Sequence, residues 1–401
     1  FDNLPEGMHI GHIQNRTYQP PRNQTEYIDD PSNLKLLYGI LTHDNPEATK
    51  RLIRVLYEEG HSFVIHVDGK EAADETFYDL KEFAATRDYV HVVDTRVRVN
   101  WGGFTMVNAT LQILKYAFAI DSNPNQQEPL DFDKFVHLAS TSYPIASNAE
   151  IREKLASFPL DANLMHIIMK PTSPGVNAWH YFVECDDALH RIYRLKPLTT
   201  ANGGVELYTS SQWFVISREF ALYLAENKPG TFVHEYLEYV EHVVVADETF
   251  FGTVLRNTEF CTKHHNWHFL HLQFDRWESD LEQGKRDLRK CMMPDPNRCG
   301  RSPTTMTMDY MDILELTGDL FARKFVDTTD SRIKDVLDMK QNGTLHVMNK
   351  EPETEKKTDD PLGLNQTFVG HGVMIVAKET TNDNVPLCLG LGPTANQARL
   401  T

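Results

Sequence analysis

The sequence predicts an α/β fold in which parallel strands and helices alternate around a doubly wound sheet. Three short apolar runs, each of the right length for one buried strand, cover residues 34–41, 62–67 and 90–93. Amphipathic helical patterns over 46–59 and 74–85 separate them, with short links between. Because short strand–helix–strand units join parallel strands by crossing over one face of a sheet, this order favours a parallel sheet covered by helices.

The same alternation continues toward the middle of the chain. Gly102 and Gly103 precede a predicted long helix, and residues 160–210, which are mixed in character, indicate a loop-rich insertion facing a substrate. The remaining predicted elements are helices at 104–120, 149–158 and 219–226, strands at 135–139 and 212–216, and a last helical pair over 317–340. In such sheets ligands bind beyond the carboxyl ends of the strands, and Asp68 follows the second strand at such an end.

Composition divides the chain into three parts. Residues 1–33 are rich in Pro, Asn, Gln and Tyr, which predicts an extended arm. Residues 34–345 are predicted to form one domain. Residues 346–401 predict a linker followed by a short β-like tail, because 350–364 are rich in Glu, Lys, Asp and Pro.

Charge and hydropathy exclude some classes of function. The net charge of −17 disfavours nucleic-acid binding, which needs clustered Lys and Arg. No apolar run reaches about 18 residues, so no membrane segment is expected within this chain. The first residue is Phe1 and not Met, which indicates a processed or truncated chain; a longer protein could then carry an N-terminal anchor.

The sequons favour the secretory pathway. Five Asn-x-Ser/Thr sequons occur, at Asn15, Asn23, Asn108, Asn342 and Asn365. The five cysteines contain no Cys-x-x-Cys pair, so they match no zinc site. In an oxidising compartment a bridge from Cys261 to Cys291 or Cys299 is a plausible pairing, and the odd count leaves one thiol free or paired elsewhere.

The acidic pair Asp247 and Glu248 is the most informative local feature. It follows the apolar run 243–245, and a helical pattern over 249–255 begins directly after it. This order predicts that Glu248 lies in the first turn of a helix, where free backbone N–H groups and the helix dipole favour an ionised carboxylate. Such a group suits a general base, whereas the alternative is an ordinary acidic N-cap pair with Asp247 as the cap.

Seven segments in this order resemble the core-2/I-branching β-1,6-N-acetylglucosaminyltransferase and protein xylosyltransferase family. The resemblance covers about residues 34–326, and its Phe-Val-Glu-Cys-Asp and Phe-Ala-Arg-Lys-Phe segments are similar to the xylosyltransferase branch. The segments are His-Val-Asp at 66–68, Trp-Gly-Gly at 101–103, Phe-Val-His-Leu at 135–138 with Tyr-Pro-Ile at 143–145, Phe-Val-Glu-Cys-Asp at 182–186, Ser-Gln-Trp-Phe-Val-Ile-Ser-Arg at 211–218, Ala-Asp-Glu-Thr-Phe-Phe at 246–251 and Phe-Ala-Arg-Lys-Phe at 321–325.

The resemblance implies a GT-A-type, Rossmann-like domain and an inverting, metal-independent glycosyltransferase. Glu248 falls at the family's catalytic base, Arg301 and Lys324 at the cations that hold the donor diphosphate, and Asp68 at the aspartate that binds the nucleoside. The implied partners are a UDP-sugar and a glycan or protein acceptor, with no cofactor and no metal. The implied location is the Golgi lumen, as the ectodomain of a type II membrane protein.

The chemistry of inverting transfer needs these residue types. A base takes the proton of the acceptor hydroxyl, and fixed cations or a metal neutralise the departing diphosphate. Arg binds phosphate oxygens with its planar fork, and Lys supplies a point charge. The one Asp-x-Asp tripeptide, at 131–133, precedes a predicted strand at the end opposite the ligands, so we interpret it as a loop or cap.

Further candidates carry two interpretations each. Trp101 either forms a wall of the donor pocket or packs in the core, and Trp213 either stacks on an acceptor sugar or fills the core. Glu184 and Asp186 either contact the acceptor or are structural. The histidines near 264–271 invite a zinc site, but they lack the acidic partner of a His-Glu-x-x-His motif and equally suit an irregular strand.

The donor sugar stays open among xylose, N-acetylglucosamine and glucuronic acid. Ser142 stands where the family commonly has an Asp near the donor sugar, which removes a charge and a strong acceptor. This departure motivates a second hypothesis, a non-catalytic protein of the same fold that binds nucleotide sugars or glycans. A third hypothesis is a metal-dependent transferase that uses Asp131 and Asp133.

Overall fold

The centre of the molecule is a seven-stranded sheet. The computed structural model describes residues 26–120, 128–169, 180–185, 187–194, 205–275 and 302–341. The strands are β1 (Leu36–Thr42), β2 (Ser62–Val67), β3 (Val90–Val92), β4 (Lys134–Ala139), β5 (Ser142–Pro144), β6 (Asn163–Met169), β7 (His180–Cys185), β8 (Ala188–Arg194), β9 (Thr209–Ser217), β10 (His264–His265), β11 (Leu270–Leu272) and β12 (Phe321–Arg323).

The order in the large sheet is β10-β6-β9-β4-β1-β2-β3. Strand β9 pairs antiparallel with β4 and β6, and the other pairs in this sheet are parallel. The predicted α/β fold with a mostly parallel sheet is therefore confirmed.

Helices cover both faces of the sheet. They are α1 (Pro46–Leu56), α2 (Asp74–Ala84), α3 (Phe104–Ala117), α4 (Asn148–Ala156), α5 (Arg218–Glu226), α6 (Phe232–Val240), α7 (Phe250–Arg256), α8 (Met311–Leu316) and α9 (Arg332–Gln341). Local sequence explains their starts. The Asn45 side chain accepts from the Ala48 N–H and Pro46 opens α1, while Ser147 and Glu150 form a capping box at α4.

The pleat of the strands divides the core into two apolar layers. In β1, Leu36 and Tyr38 belong to one layer and Leu37 to the other, because successive side chains point to opposite faces. Helices α1, α2, α4, α8 and α9 pack on the first layer, and α3, α5, α6 and α7 pack on the second. Burial on both faces is what a parallel sheet requires.

Two smaller units extend the domain at the carboxyl ends of the central strands. Strand β12 pairs parallel with β11 and antiparallel with β5, and the Phe325 N–H donates to the Thr141 carbonyl just beyond β4. Strands β7 and β8 form an antiparallel hairpin. The Phe182 N–H joins this hairpin to the His242 carbonyl at 3.0 Å.

Three predicted regions differ from the structure. Residues 160–210, expected to be loop-rich, contain β6 and the β7–β8 hairpin. Helix α6 was not predicted. The stretch 317–340, expected to hold two helices, contains β12 and the single helix α9. Such short strands depend on tertiary pairing, which periodicity does not reveal. Residues 1–25 of the arm and all of the predicted linker and tail lie outside the described residues, so those predictions stay predictions; the described end of the arm contains a 3-10 turn, Pro31–Asn33.

The sequon at Asn108 differs from the exposed loop that such a sequence suggests. It lies within α3, where Thr110 is buried and its hydroxyl bonds the Met106 carbonyl. The sequons at Asn15, Asn23 and Asn342 lie outside the described residues, as does that at Asn365. Within the described part of the chain, no helix is both long and apolar enough to cross a membrane.

Candidate active site

Asp68 lies at the carboxyl edge of the sheet, as predicted. Its N–H donates to the Thr42 carbonyl at 2.9 Å, which fixes it beyond the ends of β1 and β2. Its Oδ1 accepts from the Lys70 N–H at 2.9 Å and from the Val99 N–H at 3.2 Å. The carboxyl group is thus oriented by backbone donors at the edge where nucleotide ligands bind in such folds.

The loop 96–103 runs along this edge from Asp68 to α3. The Arg96 Nε donates to the Asp68 carbonyl at 3.1 Å, and the His66 Nε2 accepts from the Val97 N–H at 2.9 Å. Burial lowers the pKa of His66 to about 4, so its ring is neutral and able to accept this bond. Trp101 then projects from the loop with 70% of its surface exposed, which excludes the core-packing interpretation.

Glu248 lies beside this loop. It ends a 3-10 turn, Ala246–Glu248, that precedes α7, and the Ser210 hydroxyl donates to its carbonyl at 3.5 Å. The Val245 N–H donates to the Gly102 carbonyl at 2.6 Å, which joins the turn to the loop 96–103. Glu248 thus lies in the first turn of a helix, as expected, but this is a separate 3-10 helix that begins after Val245, with φ 55°, and not α7.

The Glu248 carboxylate suits proton transfer. The residue is exposed, and its side chain has no hydrogen bond or ion pair with any other described residue. The surrounding protein still desolvates it enough to raise its pKa above the ordinary value of 4.5. A carboxylate with a raised pKa is a stronger base than an ordinary one, and an accessible one can reach an acceptor.

Asp247 differs from the N-cap role expected of it. It is 4% exposed, its Oδ1 has no hydrogen-bond partner, and Thr249 holds the N-cap position of α7. Burial, followed by repulsion from Glu248, raises the pKa of Asp247 to about 7, while attraction to Arg323 opposes this shift. The acidic pair therefore consists of one exposed and one buried carboxyl group.

Arg323 is a cation of this edge that the sequence did not single out. Its guanidinium lies 4.8 Å from the centre of the Trp213 ring, and its Nε donates to the Thr141 hydroxyl at 3.3 Å. Burial lowers its pKa to about 10, and attraction to Asp247 opposes that change. The family resemblance assigned a role to its neighbour Lys324. The stacking of Arg323 on Trp213 is visible only in the tertiary structure.

Trp213 fills the core, so the structure gives it no direct contact with an acceptor. It is 4% exposed, and its ring lies between Arg323 and His137, whose ring centre is 5.1 Å away. Burial lowers the pKa of His137 to about 4. The expected stacking of Trp213 on a sugar is therefore replaced by a supporting role beneath Arg323.

Lys324 brings a second cation to the same edge. Its carbonyl accepts from the Met306 N–H at 2.8 Å, and the next residue, Phe325, bonds to Thr141 beyond β4. Among the described residues the Lys324 ammonium has no ion pair, which leaves it available to an anion. Arg301, its predicted partner, lies outside the described residues.

Ser142 and Glu184 differ from the contacts expected of them. Ser142 is fully buried, and its hydroxyl accepts from the Ala139 N–H at 3.2 Å, so it does not reach a donor in this conformation. Both carboxylate oxygens of Glu184 are occupied by Thr105 and Asn100. Its bonds favour the structural interpretation over acceptor contact.

Asp186, the other predicted acceptor residue, lies outside the described residues, so its role stays a prediction. The same holds for Cys291 and Cys299, the two candidate partners of Cys261. Cys185 is an exposed free thiol.

The Asp-x-Asp tripeptide lies at the opposite edge of the sheet, as predicted. Asp131 pairs with the Lys35 ammonium, and the Asp133 Oδ2 accepts from the Lys35 N–H at 2.8 Å. The histidines at 264–271 are engaged with backbone groups: the His264 Nε2 donates to Met165 and the His268 Nδ1 accepts from Leu270. The described residues contain no group of three or more His, Cys, Asp or Glu placed to hold a metal ion.

Comparison with known proteins identifies the family. The model of the Core-2/I-branching enzyme domain matches residues 37–296. The chain belongs to the Core-2/I-branching enzyme family. It has the GT-A-like architecture of that family, and the matched region contains Asp68, Trp101 and Glu248.

The similar curated proteins are xylosyltransferases. Human xylosyltransferase 2 is 25% identical over 359 residues, which cover 86% of this chain and 39% of that protein. Xylosyltransferase oxt of Drosophila pseudoobscura pseudoobscura is 26% identical over 286 residues, which cover 69% of this chain and 29% of that protein. The chain thus spans well under half the length of the curated relatives it matches.

Proposed function

We propose that this protein is an inverting glycosyltransferase that moves a sugar from a UDP-sugar to a hydroxyl group of a glycan or protein, without a metal. The observation that carries the proposal is Glu248, an exposed carboxylate without a neutralising partner among the described residues, at the ligand-binding edge of a sheet in this family. The names of the similar proteins support sugar transfer.

Glu248 acts as the general base in this proposal. It accepts the proton of the acceptor hydroxyl while that oxygen forms a bond to the anomeric carbon. In the same step the bond from the anomeric carbon to the diphosphate oxygen breaks, and its electron pair leaves with UDP. The raised pKa of Glu248 favours the proton transfer without a second residue.

Fixed cations stabilise the departing UDP. Lys324, which has no ion pair with another described residue, and Arg301 neutralise the diphosphate, and Asp68 binds the nucleoside from the end of β2. Arg323 adds positive charge close behind the site and is held by Trp213 and Thr141. The pairing of Asp131 with Lys35 at the far edge supports a mechanism without a metal at those carboxylates.

Xylose is the first donor sugar to test. The similar proteins are named xylosyltransferases, and buried Ser142 supplies no charge to a donor in this conformation. N-acetylglucosamine and glucuronic acid are the other two candidates. We propose a location in the Golgi lumen as part of a membrane-anchored protein, because the sequons favour the secretory pathway. Immunofluorescence of the full-length protein tests this.

A donor screen tests the function. The purified chain is incubated with UDP-xylose, UDP-N-acetylglucosamine or UDP-glucuronic acid, with and without EDTA, and released UDP and transferred sugar are measured. We expect release of UDP from one donor, unchanged by EDTA. Activity that needs manganese and disappears on chelation would contradict the metal-free mechanism.

A non-catalytic sugar-nucleotide-binding protein is the second candidate. The observation that favours it is Ser142, which replaces a common family carboxylate and is buried. UDP binding by calorimetry without any release or transfer across the donor panel would support this candidate and contradict the enzyme.

A further inference from the structure

Glu184 makes three hydrogen bonds to the segment that begins α3. Its Oε1 accepts from the Thr105 N–H at 2.9 Å, and its Oε2 accepts from the Thr105 hydroxyl at 2.6 Å and from the Asn100 Nδ2 at 3.1 Å. Thr105 also accepts the Asn100 N–H at 2.9 Å. Asn100 is therefore fixed through both its main chain and its side chain.

Helix α3 needs this carboxylate because its own N-cap provides none. Gly103 holds the N-cap position, and it has no side chain that could accept from the first N–H groups of the helix. A Cβ at Gly103 would lie 2.4 Å from the Glu184 Cδ, so the close approach requires glycine. A carboxylate from β7, 79 positions along the chain from Thr105, thus replaces the usual cap.

The fixed segment carries the exposed Trp101 and contacts the Glu248 turn. Trp101 stands between Asn100, which Glu184 holds, and Gly102, whose carbonyl accepts the Val245 N–H at 2.6 Å. Val245 begins the turn that ends at Glu248. The chain of contacts therefore runs from Glu184 through the loop to the proposed base.

The hairpin that carries Glu184 is also joined to the other side of that turn. The Tyr181 ring stacks on His242 with 4.0 Å between ring centres, and its hydroxyl lies 2.9 Å from the His242 Nε2. The His242 Nδ1 donates to the Phe182 carbonyl at 3.1 Å. The hairpin thus contacts the chain before Glu248 directly and contacts the loop through Glu184.

We propose that Glu184 is a positioning residue, whose bonds to Thr105 and Asn100 hold the Trp101 loop against the turn that carries Glu248. This inference rests on the proposed function, since it assigns Glu184 to the geometry of the transfer step. Glu184 contacts no substrate in this role. It fixes the positions of Trp101 and the Val245 N–H. These in turn determine the direction in which the Glu248 carboxylate points.

The test uses Glu184→Gln, Thr105→Val and the double variant. Gln keeps one acceptor oxygen but replaces the other by an NH2 group, which cannot accept from the Thr105 hydroxyl and the Asn100 Nδ2. We expect kcat to fall about 10- to 100-fold in each single variant, as a misplaced catalytic group costs. The double variant should be no slower than the slower single one, because both remove one set of bonds. UDP affinity should stay unchanged. Thr105→Ser keeps the hydroxyl that donates to Glu184, so it should retain the activity that Thr105→Val loses.

A second measurement does not depend on transfer. Hydrogen exchange at residues 100–106 should be faster in Glu184→Gln than in the wild type, and unchanged in Glu238→Gln, a matched change at an exposed side chain. Unchanged exchange in Glu184→Gln would overturn the positioning role. Multiplied losses of kcat in the double variant would overturn it too, in favour of direct acceptor contact. A wild type without transfer would refute the proposed function while the exchange result still decides the role of Glu184.

Discussion

The two edges of the central sheet each carry a pair of acidic residues, and the pairs differ in how their charge is balanced. At the amino edge, Asp131 and Asp133 are both bonded to Lys35, one to its ammonium and one to its N–H. At the carboxyl edge, Asp247 is buried with an unbonded oxygen, and the Glu248 carboxylate has no hydrogen bond or ion pair with another described residue. The pKa values of both are raised.

The difference shows which pair has a structural role. A carboxylate that is bonded to a cation or to a backbone N–H stabilises the local fold. A carboxylate left without such partners costs stability, and groups of that kind concentrate at functional sites. From the sequence alone, the two pairs have similar chemistry. In the structure, Asp131 and Asp133 are bonded to Lys35 and stabilise a loop, whereas the Glu248 carboxylate stays available to accept a proton.

After the effect of changing Glu248, the largest expected difference is in UDP affinity, between variants of the lysines at the two edges of the sheet. Lys324→Ala should weaken UDP binding about 10- to 100-fold, because a hydrogen bond to a charged group contributes about 1.5–3 kcal/mol. Lys35→Ala is the matched control and should leave the affinity unchanged, since Lys35 is occupied by Asp131 at the far edge. Calorimetry with UDP measures both. Equal affinities for Lys324→Ala and wild type would remove Lys324 from the diphosphate site.

Asp247 should make stability fall as pH rises. Its ordinary pKa is 3.8 and its pKa in the folded protein is about 7. Between these values the folded protein retains a proton that the unfolded chain has lost, so the free energy of unfolding decreases with increasing pH. Asp247→Asn removes this titration, and its Tm relative to wild type should rise by at least about 2 °C from pH 5 to pH 8.

Differential scanning fluorimetry at both pH values measures this change, with the exposed Glu238→Gln as control. A Tm difference between Asp247→Asn and wild type that is the same at both pH values would show that Asp247 is not held with a raised pKa. The attraction to Arg323 acts only on the ionised form of Asp247 and already contributes to its pKa of about 7, so the trend with pH and not the absolute Tm carries the result.

The smallest effect is expected at the amino edge. Asp131→Asn breaks the ion pair with Lys35. The Asp131 side chain is 77% exposed and the Lys35 side chain is 45% exposed. Exposed pairs of this kind contribute about 0–1 kcal/mol, so unfolding in urea should change by no more than that. Transfer activity should be unchanged with and without manganese. A loss of activity in Asp131→Asn would revive the metal-dependent alternative.

Local periodicity was enough to predict most of the sheet and its helices. The bounds of β2 and the start of α1 agree with the sequence pattern, since β2 follows from a short continuous apolar run and α1 from an N-terminal proline. Strand β12 was missed because three residues carry no period, and its pairing with β5 and β11 is tertiary. Helix α6 was missed although Thr231 caps it, through the His234 N–H.

The candidate site was predictable only where family motifs marked it. Asp68, Lys324 and Glu248 lie at one edge, as the order of strands requires. The partners of Glu184 and Trp213 could not be predicted, because Thr105 and Arg323 are far from them in sequence. Burial, which sequence does not give directly, separates Asp247 from Glu248.

Glu248→Gln tests the central claim most directly, when turnover and UDP affinity are measured on the same sample. With the donor identified in the screen, at saturating concentration and in EDTA, kcat should fall about 10²- to 10⁴-fold, the usual contribution of a positioned base. UDP affinity should equal that of the wild type, because the nucleotide is held elsewhere. Turnover equal to that of the wild type would contradict the assignment of Glu248 as the base.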